Sequence, residues 1–276
     1  MSMNLTRAYK LAIIATLIFV AVLMVGPFIW MFITSLKTYD ETIQTPMLWF
    51  PEKAQWINYS IVAAKYPFFT LYLNTLIVVL GTVISQLLFA SMAAYAFARL
   101  KFPFKNTMFL GMLALLMVPG QIFLIPQFNV MVKLNLTNTI EALIIPNMFT
   151  VFGMFLLRQF FAAIPMELED AARIDGAGTF RIYWQIMMPL VTPGLVALGI
   201  LTMIGAWKEL LWPLIVNTDM VKMTLSAGLA FLIGEHTTYY QEVMAGAVIC
   251  VLPMVVIFAF FQKKFVESIA QTGIKG

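Results

Sequence analysis

Long apolar segments dominate the sequence, and each has about the length that a helix needs to cross a bilayer. A membrane-spanning helix requires about 20 apolar residues. The predicted spans are residues 11–35, 69–98, 106–130, 140–161, 190–216 and 242–261. Only 11% of the residues are charged, against about 25% in soluble domains. We therefore predict an all-α membrane protein with six transmembrane helices, organised as a single domain over residues 1–276.

Residues within these segments predict how the helices begin, bend and pack. Arg7 and Lys10 precede a first apolar run that is too long for a signal-peptide core, so we expect a retained span. Pro119-Gly120 predicts a kink in the third span. Residues 217–241 are expected to add a short helix or a re-entrant piece. Small and polar residues in the second span predict a face packed against other helices: Gly81, Ser85, Gln86, Ser91 and Ala94.

The distribution of basic residues predicts the orientation in the membrane. Six spans place both termini on one side, and most of the 17 lysines and arginines then fall on that side. These residues are Arg7, Lys10, Arg99, Lys101, Lys105, Arg158, Arg173, Arg181, Lys263, Lys264 and Lys275. Cytoplasmic loops carry the excess of Lys and Arg. The termini and the polar loop 162–189 are therefore predicted to be cytoplasmic.

The loop at residues 162–189 is the longest polar interruption in the second half of the chain. Acidic residues crowd its opening turns, where they complement the positive end of a helix. Ala171 and Ala172 are small, so another surface can approach the backbone closely there. Gly176 and Gly178 suit the end of a helix and a turn of the chain. We predict two short helices, the second over 180–188, that meet at a glycine elbow and form a docking element.

The spacing within this loop resembles a known motif. Asp170-Ala171-Ala172, three residues, Gly176, nine residues, then Ile186, Met188 and Pro189 resembles the EAA loop of ABC-importer permeases. Asp170 replaces the usual glutamate and Met188 the usual leucine. The run 172–177 resembles the carbohydrate-uptake branch, of the maltose-permease type. Further similar stretches are 93–99, 155–161, 211–214 and the tail 265–276, where Ser268 and Thr272 replace glycines.

The resemblance implies a type I ABC importer permease fold in which the loop is a cytoplasmic coupling helix. The residues that it implies for docking on an ATPase are Glu169, Asp170, Ala171, Ala172, Asp175 and Gly176. It further implies a second, different permease, two ATPase subunits and an extracytoplasmic solute-binding protein. The expected function is import of a sugar, an oligosaccharide or a related polyol across a bacterial or archaeal plasma membrane. No cofactor is expected on this chain, because ATP and Mg²⁺ would be used by the ATPase subunits.

Polar residues inside the spans are candidates for a translocation path. The candidates are Gln86, Gln121, Asn147, Trp207, Lys208 and Glu209. Each has an ordinary structural alternative: amides join helices by hydrogen bonds, and tryptophans commonly lie at the membrane interface. Lys208 is expected near the outer interface, where its side chain can reach water. It departs from the asparagine that is common in the family before the acidic residue.

Two other classes of function remain as alternatives. A stand-alone secondary transporter would need ion-coupling carboxylates near the midplane of the membrane, and Glu209 is the one acid well inside a predicted span. A membrane enzyme would need a catalytic constellation, whereas the single histidine, His236, has no partners at metal-binding spacing. No metal site is predicted. The sequence contains no G-x-x-x-x-G-K-[ST] phosphate-binding loop, so ATP hydrolysis is expected on a separate subunit.

Overall fold

The computed structural model describes residues 7–233 and 238–273. Every regular element within these ranges is helical. In chain order, the α-helices α1 to α15 are Arg7–Ser35, Tyr39–Ile43, Ile57–Lys65, Phe68–Arg99, Lys105–Leu115, Leu124–Lys133, Glu141–Ile144, Val151–Ala162, Glu167–Ile174, Thr179–Arg181, Met188–Leu190, Thr192–Lys208, Leu211–Val216, Leu225–Ala230 and Tyr240–Gly273. Short 3₁₀ turns lie at Gly120–Phe123, Ile145–Asn147 and Met220–Lys222, and a π-helical segment lies at Ile182–Met187.

Two helices are long and apolar enough to cross a membrane without a break. They are α1, over Tyr9–Ser35, and α4, over Phe68–Arg99, and they match the first two predicted spans. Three helix pairs pass the same test together but are bent at a short break, which gives up to five spans in the described part of the chain. The apolar stretch Tyr240–Val256 of α15 is shorter. The count of six spans therefore stays a prediction.

Proline accounts for the bends in the third and fourth predicted spans. The third bends by 95° between Lys105–Leu115 and Gly120–Lys133, which confirms the kink expected at Pro119. The fourth, predicted over 140–161, bends by 46° between Glu141–Asn147 and Val151–Ala162. Pro146 lies in the turn before this bend. Because proline lacks a backbone N–H, it removes one of the hydrogen bonds that would carry the helix on.

The fifth and sixth segments differ from the predicted spans 190–216 and 242–261. Helix α12 ends at Lys208, the backbone is extended at Glu209, and α13 begins at Leu211. Pro213 cannot donate to the carbonyl four residues earlier, so a continuous helix would lose a bond there. Helix α15 runs on to Gly273, well beyond residue 261. Loss of apolar character marks the edge of the bilayer but does not by itself end a helix.

The contacts of the chain fall into two compact units, of which the first comprises residues 1–66 and 229–255. Helices α3 and α15 are joined within it by an ion pair between Lys65 and Glu242, at 2.5 Å. The Tyr66 hydroxyl donates to the carbonyl of Phe231 at 3.0 Å. The predicted mixed segment between the first two spans does contain short helices, α2 and α3.

Lys37, just after α1, is a buried cation of this first unit. Its ammonium group donates to the carbonyl of Leu48 at 2.6 Å and lies 4.2 Å from the ring centroid of Trp30. Burial lowers the pKa of Lys37, and the nearby Glu41 carboxylate opposes that shift. Glu41 closes a capping box with Thr38 at the start of α2. The chain thus fixes a tight turn where it leaves the first span.

The second unit comprises residues 67–228 and 256–276, and α4 is its central helix. Ser85, Ser91 and Ala94 of the predicted packing face are buried, which confirms that face, and Ala90 is buried beside them. Buried side chains from α8 and α12 pack on the same cluster: Met154, Leu157, Phe161 and Leu198. At Gly194, a β-carbon would lie 2.6 Å from the ring of Phe160. Only glycine permits that close approach.

Candidate functional site

The polar loop forms two helical arms around a glycine elbow, as predicted. Helix α9 ends after Ile174, and Gly176 follows with φ +81°, a conformation that glycine adopts without strain. The Ala177 N–H donates to the carbonyl of Ala172 at 2.9 Å, and the Gly176 N–H to that of Arg173 at 3.0 Å. These two bonds are the Schellman motif that ends many helices. They fix the direction in which the chain leaves α9.

The six residues expected at the docking face divide between two sides of the loop. Asp170, Ala171, Asp175 and Gly176 are exposed, whereas Glu169 and Ala172 are buried. Ala172 packs in the hydrophobic cluster around α4. The exposed residues are therefore available to a partner surface, and the two buried residues hold α9 against its own chain.

Large exposed apolar side chains on the loop went unnoticed in the sequence. Ile174 is 86% exposed, Phe180 is 69% exposed and Leu168 is 45% exposed. These apolar side chains lie among charged residues. An apolar residue isolated within a charged loop is a sequence signal that could have predicted this exposed face. Exposed apolar side chains rimmed by polar residues mark protein interaction sites. Together with Asp170 and Ala171, they define the exposed face of α9 and its elbow.

Buried charges join the loop to the end of α4. Arg99, the last residue of α4, and Glu169 of α9 form an ion pair at 3.1 Å, with side chains 3% and 1% exposed. Arg99 also donates to the carbonyl of Ile164, which precedes α9. Arg173, half exposed, lies 3.6 Å from the other oxygen of Glu169. Both oxygens of Glu169 lack an aligned hydrogen bond within the described residues, so the attraction is chiefly one of charge.

The second arm of the loop is attached to the same helix through aromatic residues. The hydroxyl groups of Tyr183 and Ser91 are 2.8 Å apart and share a hydrogen bond. The rings of Tyr183 and Tyr95 lie 5.3 Å apart. Tyr183 belongs to the π-helical segment, a rare geometry that is often found at functional sites. Burial raises the pKa of Tyr183, and the bond to Ser91 opposes that shift.

Most of the polar residues predicted for a path line two cavities of the second unit. The first cavity, of about 270 Å³, is lined by Gln86, Asn147, Lys208 and Glu209 among others. The second, of about 440 Å³, is lined by Gln121 and again by Asn147 and Glu209. Trp212 lines both cavities. The structure thus brings together five of the six candidates from four separate predicted spans.

Trp207 is the predicted path residue that does not line either cavity among the described residues. It is 6% exposed, and its carbonyl accepts from the Ser226 hydroxyl at 2.7 Å. Trp212, the next tryptophan in the chain, lines both cavities instead. The indole N–H of Trp212 donates to the carbonyl of Ala142 at 2.9 Å, and its backbone N–H donates to Glu209 at 3.3 Å. The Glu209 carboxylate therefore caps α13.

The amides of the first cavity also join helices, which was the structural alternative for them. The Gln86 amide donates to the carbonyl of Asn147 at 2.9 Å and accepts from the Thr202 hydroxyl at 2.8 Å. Asn147 donates to the carbonyl of Leu143 at 3.0 Å. One side chain therefore both lines the cavity and connects three segments.

Two threonines of the cavity wall leave their hydroxyl groups without a partner. Thr82 is 3% exposed and Thr224 is 1% exposed, and neither hydroxyl forms a hydrogen bond within the described residues. Both side chains line the first cavity. Buried polar groups in proteins are normally hydrogen-bonded. The side chain of Lys208, on the same wall, has no ion-pair or hydrogen-bond partner among the described residues. The two threonine hydroxyls are closed off from solvent, so the polar groups that the wall exposes are the charged ends of Lys208 and Glu209.

The described residues contain no cluster of three or more His, Cys, Asp or Glu side chains able to hold a metal ion. His236 and Glu235 lie outside the described residues. Lys275 and the end of the tail motif also lie outside them.

Comparison with known proteins identifies the family. Residues 86–271 match the family described as binding-protein-dependent transport system inner membrane component. The arabinooligosaccharides transport system permease protein AraQ of Bacillus subtilis is 31% identical over 271 residues, which are 97% of this chain and 96% of that protein. AraQ of Halalkalibacterium halodurans is 38% identical over 209 residues, 76% of this chain and 75% of that protein. The sn-glycerol-3-phosphate transport system permease protein UgpE of Yersinia pestis is 30% identical over 264 residues, 93% of this chain and 94% of that protein.

A solved structure shares the fold. It belongs to a bacterial ABC transporter involved in the import of the acidic polysaccharide alginate, with a TM-score of 0.81 and 22% identity over 95% of this chain and 99% of that chain. These matches confirm the resemblance found in the sequence and favour a subunit of an ABC importer over a stand-alone secondary transporter. The chain belongs to the inner-membrane permease family of binding-protein-dependent ABC transport systems.

Proposed function

We propose that the chain is one of two different permease subunits of an importer for a sugar, an oligosaccharide or a related polyol derivative. It would work with two ATPase subunits and an extracytoplasmic binding protein. The names of its relatives, which include two arabino-oligosaccharide permeases, support this substrate class. The chain would translocate the solute and leave ATP hydrolysis to its partners.

The exposed face of α9 is the observation that carries the proposal. Asp170, Ala171 and Ile174 project from a short helix whose far side is buried on α4. A partner that bound this face would therefore move α9 together with the rest of the second unit, to which α9 is fixed. Asp175 and Gly176 would complete the contact at the elbow, and Glu169 and Ala172 would support it from inside.

The cavities around Gln86 and Glu209 would form part of the solute path. Sugars carry many hydroxyl groups, and binding sites combine apolar walls with a few polar groups that fix orientation. Gln86 and Asn147 bring amide groups to the wall, and Trp212 lines both cavities. Lys208 and Glu209 would contribute one positive and one negative group to the same path.

The proposed topology has six spans, with both termini and the loop 162–189 in the cytoplasm. The bias of lysine and arginine supports this orientation. The bent pairs over 105–133 and 141–162 would then each count as one span, α12 would supply the fifth span, and α15 would supply the sixth. The protein would be a multi-pass component of a bacterial or archaeal plasma membrane.

Uptake by the complete importer in proteoliposomes tests the docking role. Ala171→Trp places a large side chain on the exposed face of α9, so ATP-driven uptake of an arabino-oligosaccharide should be lost. Ala64→Trp, at an exposed alanine of α3, is the matched control and should transport normally. Normal uptake with Ala171→Trp would count against the docking role, and labelling of α9 from outside intact cells would refute the orientation.

A further inference from the structure

Helix α4 connects the two candidate sites of the second unit. Its residues Val78, Thr82 and Gln86 line the first cavity, and its last residue, Arg99, contacts the loop. Arg99 lies thirteen positions after Gln86, which corresponds to roughly 20 Å of helical rise. The segment between them contains neither glycine nor proline. A displacement of one end of α4 is therefore carried to the other end as movement of a stiff rod.

Buried charged groups attach α4 to the loop, although apolar packing could have stabilised the same contact equally well. Taking an arginine and a glutamate out of water is costly, and replacing a buried ion pair by apolar residues is often neutral for stability. The guanidinium group of Arg99 nevertheless reaches both Glu169 and the carbonyl of Ile164. These contacts fix the start of α9 in position and direction, which apolar contacts alone do less sharply.

The other contacts between the loop and α4 are weaker or apolar. Tyr183 shares one hydrogen bond with Ser91, and Ala172 contributes packing. Within the described residues, Arg99 provides the one ion pair between α4 and the loop. Arg173 also approaches Glu169, but both residues belong to α9, so that contact transmits nothing to α4.

We propose that the Arg99–Glu169 pair transmits movement of α9 to α4, and through α4 to the wall of the solute cavity. Arg99 is then a positioning residue of the transport cycle that contacts neither solute nor nucleotide. The inference rests on the proposed docking of α9 on an ATPase subunit. The inference adds the physical route by which movement of α9 reaches the cavity.

The decisive variant replaces both charges by apolar side chains, Arg99→Met together with Glu169→Met. Because no unpaired buried charge remains, the complex should assemble and its thermal unfolding midpoint should stay near that of the unmodified importer. Uptake, and the stimulation of ATP hydrolysis by solute-loaded binding protein, should each fall about tenfold, a coupling of ordinary size. Arg173→Met is the matched control, since it also removes a cation beside Glu169, and it should leave both rates unchanged.

Two results would overturn the inference. The first is normal uptake by an assembled double variant, which would make the pair purely structural. The second is loss of the ATPase subunits from the double variant, measured by co-purification, which would assign the pair to docking. The proposed function fails separately, through normal uptake with Ala171→Trp, whatever the double variant does.

Discussion

The loop and the cavity of the second unit use charged side chains in opposite ways. In the loop, Arg99 and Glu169 are buried and paired. At the cavity, Lys208 and Glu209 are exposed, and Lys208 has no partner among the described residues. Buried, paired charges fix one element against another, whereas charges left open remain available to a solute or a partner subunit. For substitutions of charged side chains, the comparison predicts large effects on stability at the loop and effects on transport alone at the cavity.

Glu169→Ala should have the largest effect on stability. It leaves the guanidinium group of Arg99 buried without its partner, and breaking a buried pair from one side costs about 3–5 kcal/mol. The measurement is the unfolding midpoint of the purified chain in detergent. Glu167→Ala, an exposed acid on the same helix, is the control. Equal midpoints for the two variants would contradict a structural role for the buried pair.

Gly176→Ala should have the next largest effect. The backbone at Gly176 has φ +81°, and a side chain in this left-handed region costs about 1–2 kcal/mol. We expect a lower unfolding midpoint and slower uptake, because the elbow can no longer close its two hydrogen bonds without strain. Gly178→Ala is the control, since Gly178 has φ −73° and open space around it. A similar loss in both variants would mean that the elbow geometry is unimportant.

Trp212→Phe should have a smaller effect, at the cavity wall. The substitution keeps an aromatic ring but removes the N–H that donates to Ala142, so we expect a loss of about 1 kcal/mol. Trp56→Phe, at a largely exposed position, should change nothing measurable. Unfolding midpoints measured side by side test the difference. An unchanged midpoint for Trp212→Phe would show that the bond to Ala142 does not support the wall.

Lys208→Gln should have the smallest effect on stability and still alter transport. Because its ammonium group has no partner among the described residues, removing the charge should leave the unfolding midpoint unchanged. The concentration of solute-loaded binding protein that half-saturates uptake should rise severalfold. Lys133→Gln, at an exposed cation outside both cavity linings, is the control. A lower unfolding midpoint together with normal uptake would contradict the comparison, because Lys208 would then stabilise the fold and not act in transport.

Sequence patterns predicted the parts of the structure that depend on local physics. The length of the apolar runs predicted α1 and α4, and Gly176 predicted the elbow. The sequence did not show that Glu169 faces inward while Asp170 faces outward, because two adjacent acids differ only in their direction around the helix. That choice depends on where the end of α4 lies, which is a tertiary fact. The same holds for Thr82 and Thr224, which are far apart in the chain but share one cavity wall.

The end of α12 at Lys208 has a consequence for biogenesis of the protein. Helix α13 is too short to insert into lipid as an independent segment, and its Trp212 is bonded to a carbonyl that was synthesised 70 residues earlier. We therefore expect the nascent chain to keep an open, polar wall until α13 docks. Chains truncated after residue 210 should be degraded faster in cells than chains truncated after residue 224, as pulse-chase labelling can measure. Equal half-lives would show that α13 is not the closing step of assembly.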